Sequence, residues 1–159
     1  NIQKYGGDLS KIYLAGHSAG GYIVNMLGLN KEYLAKYDID PDKQIKALVP
    51  YSGQVITHFN VRKARGLSSL TPMVDDTAPL YYVRKLPMPF VLLSGDRELE
   101  LYGRYEEQAY FWRMMQLHQN DQCLLYEMDG YDHGNMPEAG HKIMVRHIKT
   151  ICDGKKIKR

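Results

Sequence analysis

The chain has 159 residues, of which 44% are hydrophobic and 25% charged, enough for one soluble-type domain with its own core. Its net charge of +3 rests on the terminal run Lys155, Lys156, Lys158 and Arg159; without it the balance is slightly acidic, so the body carries no basic excess that points to nucleic acid, and the run itself reads as a frayed, solvated end. No apolar run approaches the length of a membrane span, and the two cysteines, Cys123 and Cys152, fit neither a disulfide scaffold nor a metal spacing.

The chain begins at Asn1 without an initiator methionine, so the absence of a leader carries no information and the compartment stays open. Asn1 to Tyr5 reads as the last turn of a helix, ended by Gly6-Gly7. Residues 11–16 form a short apolar strand, and a helix follows Ser18 to about Leu29, with a further helical turn between Asn30 and Tyr37. Asp38 to Asp42 is a loop. Ile45 to Tyr51 is the second strand, stopped by Ser52-Gly53.

Residues 54–88 make a long connection, with helical stretches expected within Val55–Ala64 and Asp75–Val83, the latter with Pro79 in its first turn. Phe90 to Ser94 is the third strand. Residues 103–118 form a helix whose inward face is read as Tyr105, Ala109, Trp112 and Met115. Cys123 to Met128 is the fourth strand, and a last helix runs from about Pro137 to Cys152, with Ile143, Val145, His147, Ile148 and Ile151 turned partly inward.

Four short apolar strands alternating with helices predict an α/β fold, an open parallel sheet with flanking helices. In such sheets ligands gather at the C-terminal strand ends. That edge carries Ser18, Ser52, Asp96 and His133, one after each strand.

The first of these sits in Gly16-His17-Ser18-Ala19-Gly20, a G-x-S-x-G pattern between strand and helix. Composition alone produces such a pentapeptide in about one chain in twenty of this length, so its weight lies in that context. A serine hydroxyl is a weak nucleophile and needs an adjacent base. A sharp turn lifts it clear of its backbone, and Gly16 and Gly20 keep a Cβ from colliding there. The helix start aims the Ala19 N–H at the same spot, where an oxyanion would form.

Six histidines compete for the role of base. His17 lies inside the turn and points the wrong way; His58, His118, His141 and His147 lie in the long connection or on helices. His133 follows a strand in a glycine-flanked loop, Gly130-Tyr-Asp-His-Gly134, and is the candidate. Asp96, directly after the third strand, is the candidate orienting acid, with Glu98 next, Glu100 a nearby rival, and Asp75 and Asp76 more distant ones. Asp132, adjacent to His133, reads as a loop residue.

The order Ser18, Asp96, His133 and the run Gly-His-Ser-Ala-Gly-Gly resemble the α/β-hydrolase fold. More narrowly they resemble the carboxylesterases related to hormone-sensitive lipase and the bacterial feruloyl-esterase-like group, as do Thr77-Ala78-Pro79-Leu80 and Leu86-Pro-Met-Pro-Phe90. The likeness runs from Tyr5 to about Ile151. Two features depart from the pattern. Ser-Gly-Asp-Arg-Glu-Leu stands where the family has Gly-x-x-Asp with a following Val-Pro, which leaves the acid between Asp96 and Glu98. The family's first four strands and its His-Gly-Gly oxyanion loop have no counterpart.

The resemblance therefore implies the C-terminal half of an α/β-hydrolase, a single partial domain over 1–159 lacking the N-terminal strands and oxyanion loop. It implies a serine carboxyl-ester hydrolase working on a small-molecule ester through an acyl-enzyme, without metal or organic cofactor. Tyr51, Tyr81, Tyr82 and His17 are candidate substrate-pocket residues. An arylformamidase or prolyl-oligopeptidase-like amide hydrolase is the alternative, and a non-catalytic hydrolase-fold binding module or inactive fragment the other. The first strand would be a bare sheet edge, so self-association or association with the missing N-terminal half is expected.

Overall fold

The computed structural model describes residues 2–158. Asn1, at the start of the expected first helical turn, and Arg159, the last of the basic run, lie outside the described residues. Ile2–Tyr5 forms a single 3₁₀ turn.

Four strands, β1 (Ile12–His17), β2 (Ile45–Tyr51), β3 (Phe90–Gly95) and β4 (Cys123–Met128), make one sheet in the order β1-β2-β3-β4, every pair parallel. Each crossover carries helix: α1 (Ala19–Leu29), α2 (Glu32–Ala35) and α3 (Pro41–Gln44) between β1 and β2, α4 (Phe59–Ala64) between β2 and β3, α5 (Arg104–Leu117) between β3 and β4. Helix α6 (Met136–Cys152) follows β4. Parallel neighbours cannot be joined by a tight hairpin, which is why helices must intervene.

The strands read as unbroken apolar runs because both faces are covered. Along β3 the side chains alternate: Phe90 and Leu92 enter one core cluster with Leu48, Phe111 and Met115, while Val91 and Leu93 enter the other with Val49, Met128 and Met136. The first cluster lies under α1 and α5, the second under α6. β1 is less covered; Ala15 is exposed, and the strand forms one edge of the sheet.

Four expectations are corrected. The Asp38–Asp42 loop is shorter, because Pro41–Gln44 closes one helical turn, with Asp40 Oδ1 accepting the Asp42 N–H at 3.1 Å. The buried face of α5 includes Met115 as expected but otherwise lies one residue earlier than the apolar pattern: Tyr105, Ala109 and Trp112 are half-buried, while Arg104, Gln108 and Phe111 are buried. Two of these are polar and earn their place by bonding the chain after β2, Arg104 donating to Ser52 O and Gln108 Nε2 to Gly53 O at 3.1 Å. Val145 is exposed on α6. The C-terminal tail is not wholly solvated: Ile157 is buried in the second cluster, and its N–H donates to Gln122 Oε1 at 3.2 Å.

The long connection stays ordered through polar ties rather than long helices. Asp75 is its hub, accepting from Thr57 Oγ1 at 3.0 Å and from the Thr77 N–H at 2.9 Å, and pairing with Arg65. Pro79–Tyr82 forms a 3₁₀ turn packed near α1, and Tyr22 Oη on α1 donates to Thr77 O at 2.6 Å. Both cysteines are free thiols, Cys123 buried and Cys152 exposed. Burial pushes the Cys123 thiol up. Among the described residues no helix is long and apolar enough to cross a membrane.

Candidate active site

Ser18 stands between β1 and α1 with φ 55° and ψ −115°, a strained conformation for a residue with a Cβ. Its N–H is held by Tyr51 O at 2.8 Å, and its own carbonyl accepts the Tyr22 N–H at 3.0 Å. The turn is so tight that a Cβ on Gly16 would sit 2.6 Å from the backbone of Gly20. A Cβ on Gly20 would meet nothing within 4 Å, so the steric demand falls on Gly16 alone. A second close approach fixes the turn from outside. Cβ atoms added to Gly21 and Gly53 would lie 2.8 Å and 2.5 Å from each other's backbone.

His133 reaches Ser18 from the loop after β4. Its Nε2 lies 2.9 Å from Ser18 Oγ. Its Nδ1 lies 3.0 Å from Glu100 Oε2 and 2.9 Å from Ser52 Oγ. The Glu100 side chain is almost fully buried, at 1% exposure. Burial works against its charge, yet the bonds it takes from His133, Ser52 and the Leu101 N–H win and hold the carboxyl down at about 2. An ionised carboxylate can only accept, so His133 Nδ1–H donates to it. That leaves Nε2 free to accept the proton of Ser18.

This corrects the expected acid. Asp96 is spent on backbone, in its own turn and in the loop after β4: Oδ1 accepts the Glu98 N–H and Oδ2 the Gly130 N–H, each at 2.8 Å. Glu98 is exposed. Glu100 lies at the end of the turn that Asp96 opens, where the Glu100 N–H donates to Asp96 O at 2.9 Å. The longer glutamate side chain then folds back under His133, its Oε1 accepting the Gly95 N–H at 3.2 Å. Acidic residues at 96, 98 and 100 carry no local mark that ranks them. The absence of a Cβ at Gly95, which would meet Tyr131 O at 2.7 Å and the Glu100 side chain at 3.1 Å, is the one clue, and it needs the fold to be read.

Ser52 also holds an unusual backbone, with φ 44°, and its N–H donates to Leu93 O at 2.6 Å. Its place at a strand end was readable from the sequence; its contact with His133 was not. His17 does pack beside His133, with ring centroids 4.8 Å apart and Nε2 at 2.8 Å from His133 O. Burial lowers its pKa, which keeps the ring neutral at neutral pH. It then donates Nε2–H to that carbonyl and steadies the loop. Asp132 Oδ1 accepts the N–H groups of Gly134 and Asn135 at 2.8 Å and 2.9 Å, a loop-forming role.

Of the tyrosines expected at a pocket, Tyr51 touches the site through its backbone carbonyl, which holds the Ser18 N–H. Tyr51 is in the core beneath α6, its ring 5.5 Å from that of His141; burial pushes its hydroxyl up to about 12. Tyr81 is exposed, and Tyr82 Oη donates to Asp76 O at 2.8 Å. Neither bonds Ser18 or His133. A hollow of about 710 Å³ along α6, walled by His141, Val145 and Lys149, is likewise built from other residues. Hydrogen bonding, not concavity, marks the site. His58, His118 and His147 bond Asn60, Met114 and Tyr126 instead. Ala19 opens α1, so its N–H lies in the first turn, where the helix offers no carbonyl partner.

No family model and no curated protein sequence matches the chain. Solved structures do. The thermophilic esterase Est2 of Thermogutta terrifontis, with propionate bound, superposes with a TM-score of 0.69 at 16% identity, over 99% of this chain and 63% of that one. The same esterase phosphonylated by sarin gives 0.69 at 15% identity, over 99% and 64%. The acylaminoacyl peptidase of Pyrococcus horikoshii gives 0.63 at 15% identity, over 99% and 26%. The fold is that of the α/β hydrolases, and the chain spans less than two thirds of the length of these esterase structures.

Proposed function

We propose that the chain is the catalytic portion of a serine hydrolase that cleaves carboxyl esters through an acyl-enzyme. The observation that carries this reading is the hydrogen-bonded line Ser18 Oγ, His133 Nε2, His133 Nδ1, Glu100 Oε2, with steps of 2.9 Å and 3.0 Å. The tight turn at Ser18 is then a nucleophile elbow. Ser18 Oγ attacks the ester carbonyl as His133 Nε2 takes its proton. The tetrahedral oxyanion is met by the Ala19 N–H at the positive end of α1. His133 then gives the proton to the leaving alcohol, and the acyl group stays on Ser18. Water, deprotonated by the same nitrogen, releases the acid. Glu100 keeps the imidazole in the productive tautomer and stabilises its charged form.

Esters come before amides because the superposition on the Thermogutta esterase, with a TM-score of 0.69, is better than that on the Pyrococcus peptidase, with 0.63. Amide cleavage remains the second reading, favoured by that peptidase likeness. A panel of short-chain acyl esters against acyl-amino-acid amides separates them.

The direct test is intact-protein mass spectrometry after a fluorophosphonate probe. Stoichiometric labelling that disappears in Ser18→Ala is expected. A chain that stays unlabelled while folded, or that is labelled equally in Ser18→Ala, overturns the assignment.

A further inference from the structure

The arginines that turn inward are neutralised, with one exception. Arg84 pairs with Asp42 at 2.7 Å. Arg104 Nε lies 2.8 Å from Glu107 Oε1, at an angle that makes it an ion pair rather than an aligned hydrogen bond. Arg62, on α4, is 2% exposed. It has no carboxylate partner among the described residues; NH1 donates to Thr71 O, and the buried Nε bonds nothing. A guanidinium does not give up its proton, so this charge cannot neutralise itself. A buried charge left unpaired is costly in any protein.

Arg62 lines a cavity of about 210 Å³. Arg104 and Gln54, both nearly buried, share its wall. Phe59 supplies an aromatic face, and Leu101 and Tyr102, at 42% and 87% exposure, stand at the side open to water. The charge of Arg104 is matched by Glu107, so the cavity carries one net positive charge beside an apolar wall, in which the Phe59 ring is braced by that of His58 at 4.5 Å.

We propose that this cavity binds a monocarboxylate with a small apolar body, its carboxylate forked onto the Arg62 guanidinium and its body between Phe59, Leu101 and Tyr102. A planar monoanion matches the fork and the single net charge, where a phosphate dianion would leave charge over. The site backs onto the triad without belonging to it. Leu101 follows Glu100, and Arg104 donates to Ser52 O beside His133. Its occupancy does not depend on the chemistry proposed for Ser18.

The probe is benzoate, with benzamide as its neutral counterpart, added to the wild-type chain and to Ser18→Ala at fixed ionic strength. Saturable binding of benzoate is expected, with Kd below about 5 mM, together with a rise in melting temperature that benzamide does not produce, in both proteins. Arg62→Met should lose the benzoate response and melt no lower than wild type without ligand, since it removes an unpaired buried charge. If Arg62 serves only to hold the 66–73 segment through Thr71 O, Arg62→Met melts lower and benzoate leaves wild type unchanged; that result overturns the proposal. Equal responses to benzoate and benzamide, or a benzoate response retained in Arg62→Met, overturn it as well. Should Arg62→Met not fold, Ser69→Trp at the exposed rim fills the cavity, and a benzoate response that survives it is equally fatal.

Discussion

Ser18 and Glu100 reach the same histidine by different physics. Ser18 is placed within a few residues: β1 ends, Gly16 lets the chain pass against Gly20, and α1 begins. Glu100 is placed by partners far along the chain. Its turn is tied to the His133 loop through Asp96, whose N–H donates to Tyr131 O at 2.8 Å and whose carboxylate accepts from Gly130. Ser52, from a third strand end, closes the group. A locally placed serine thus meets a carboxylate placed by the tertiary structure, and under the proposed mechanism the two arms should fail differently when altered.

The largest effect belongs to the local arm. Ser18→Ala should lower ester hydrolysis by about a millionfold, to the limit of the assay. On the other arm, Glu100→Gln should cost about a thousandfold or more in kcat, because an amide no longer fixes the imidazole tautomer. Asp96→Asn turns an NH2 toward the Glu98 or Gly130 N–H and should cost stability, yet it leaves the His133–Glu100 bond in place and should lower kcat by no more than about tenfold. The contrast between these two variants, read by kcat at saturating substrate, is the sharpest test. Equal losses would mean that Asp96 is the working acid.

The pH dependence separates the arms again. Glu100 is held at about 2 in the folded chain, below its ordinary carboxyl value, so its contribution to stability is present above that ordinary value and is lost as the pH falls toward 2. Urea melts between pH 5 and pH 3 should therefore show a loss in wild type that Glu100→Gln shows only in part.

The smallest effects test the turn itself. Gly16→Ala, facing backbone at 2.6 Å, should cost about 2–3 kcal/mol of stability in denaturant melts. Gly20→Ala has open space and sits in the first turn of a helix, so it should change stability by less than about 1 kcal/mol.

The same contrast explains what could be read in advance. Strand ends, the serine turn and His133 are legible because each is written in neighbouring residues: an apolar run, a glycine, a helix pattern. The acid was not, because Asp96, Glu98 and Glu100 share one turn and only the position of His133 distinguishes them. The face of α5 was misread for a related reason. Arg104 and Gln108 look like solvent residues until the carbonyls of Ser52 and Gly53 are placed beside them. Ile157 looked like part of a charged tail, and only the second core cluster reveals its niche.

Gly21 and Gly53 set a limit on how this protein can change. Each occupies the space in which the other's side chain would grow. A library that randomises one position at a time should return glycine at both, however permissive the selection. Randomising the pair together offers no relief, because the obstacle is backbone on both sides. Any variant that admits a side chain there has first to shift the start of α1, and with it the serine that α1 presents.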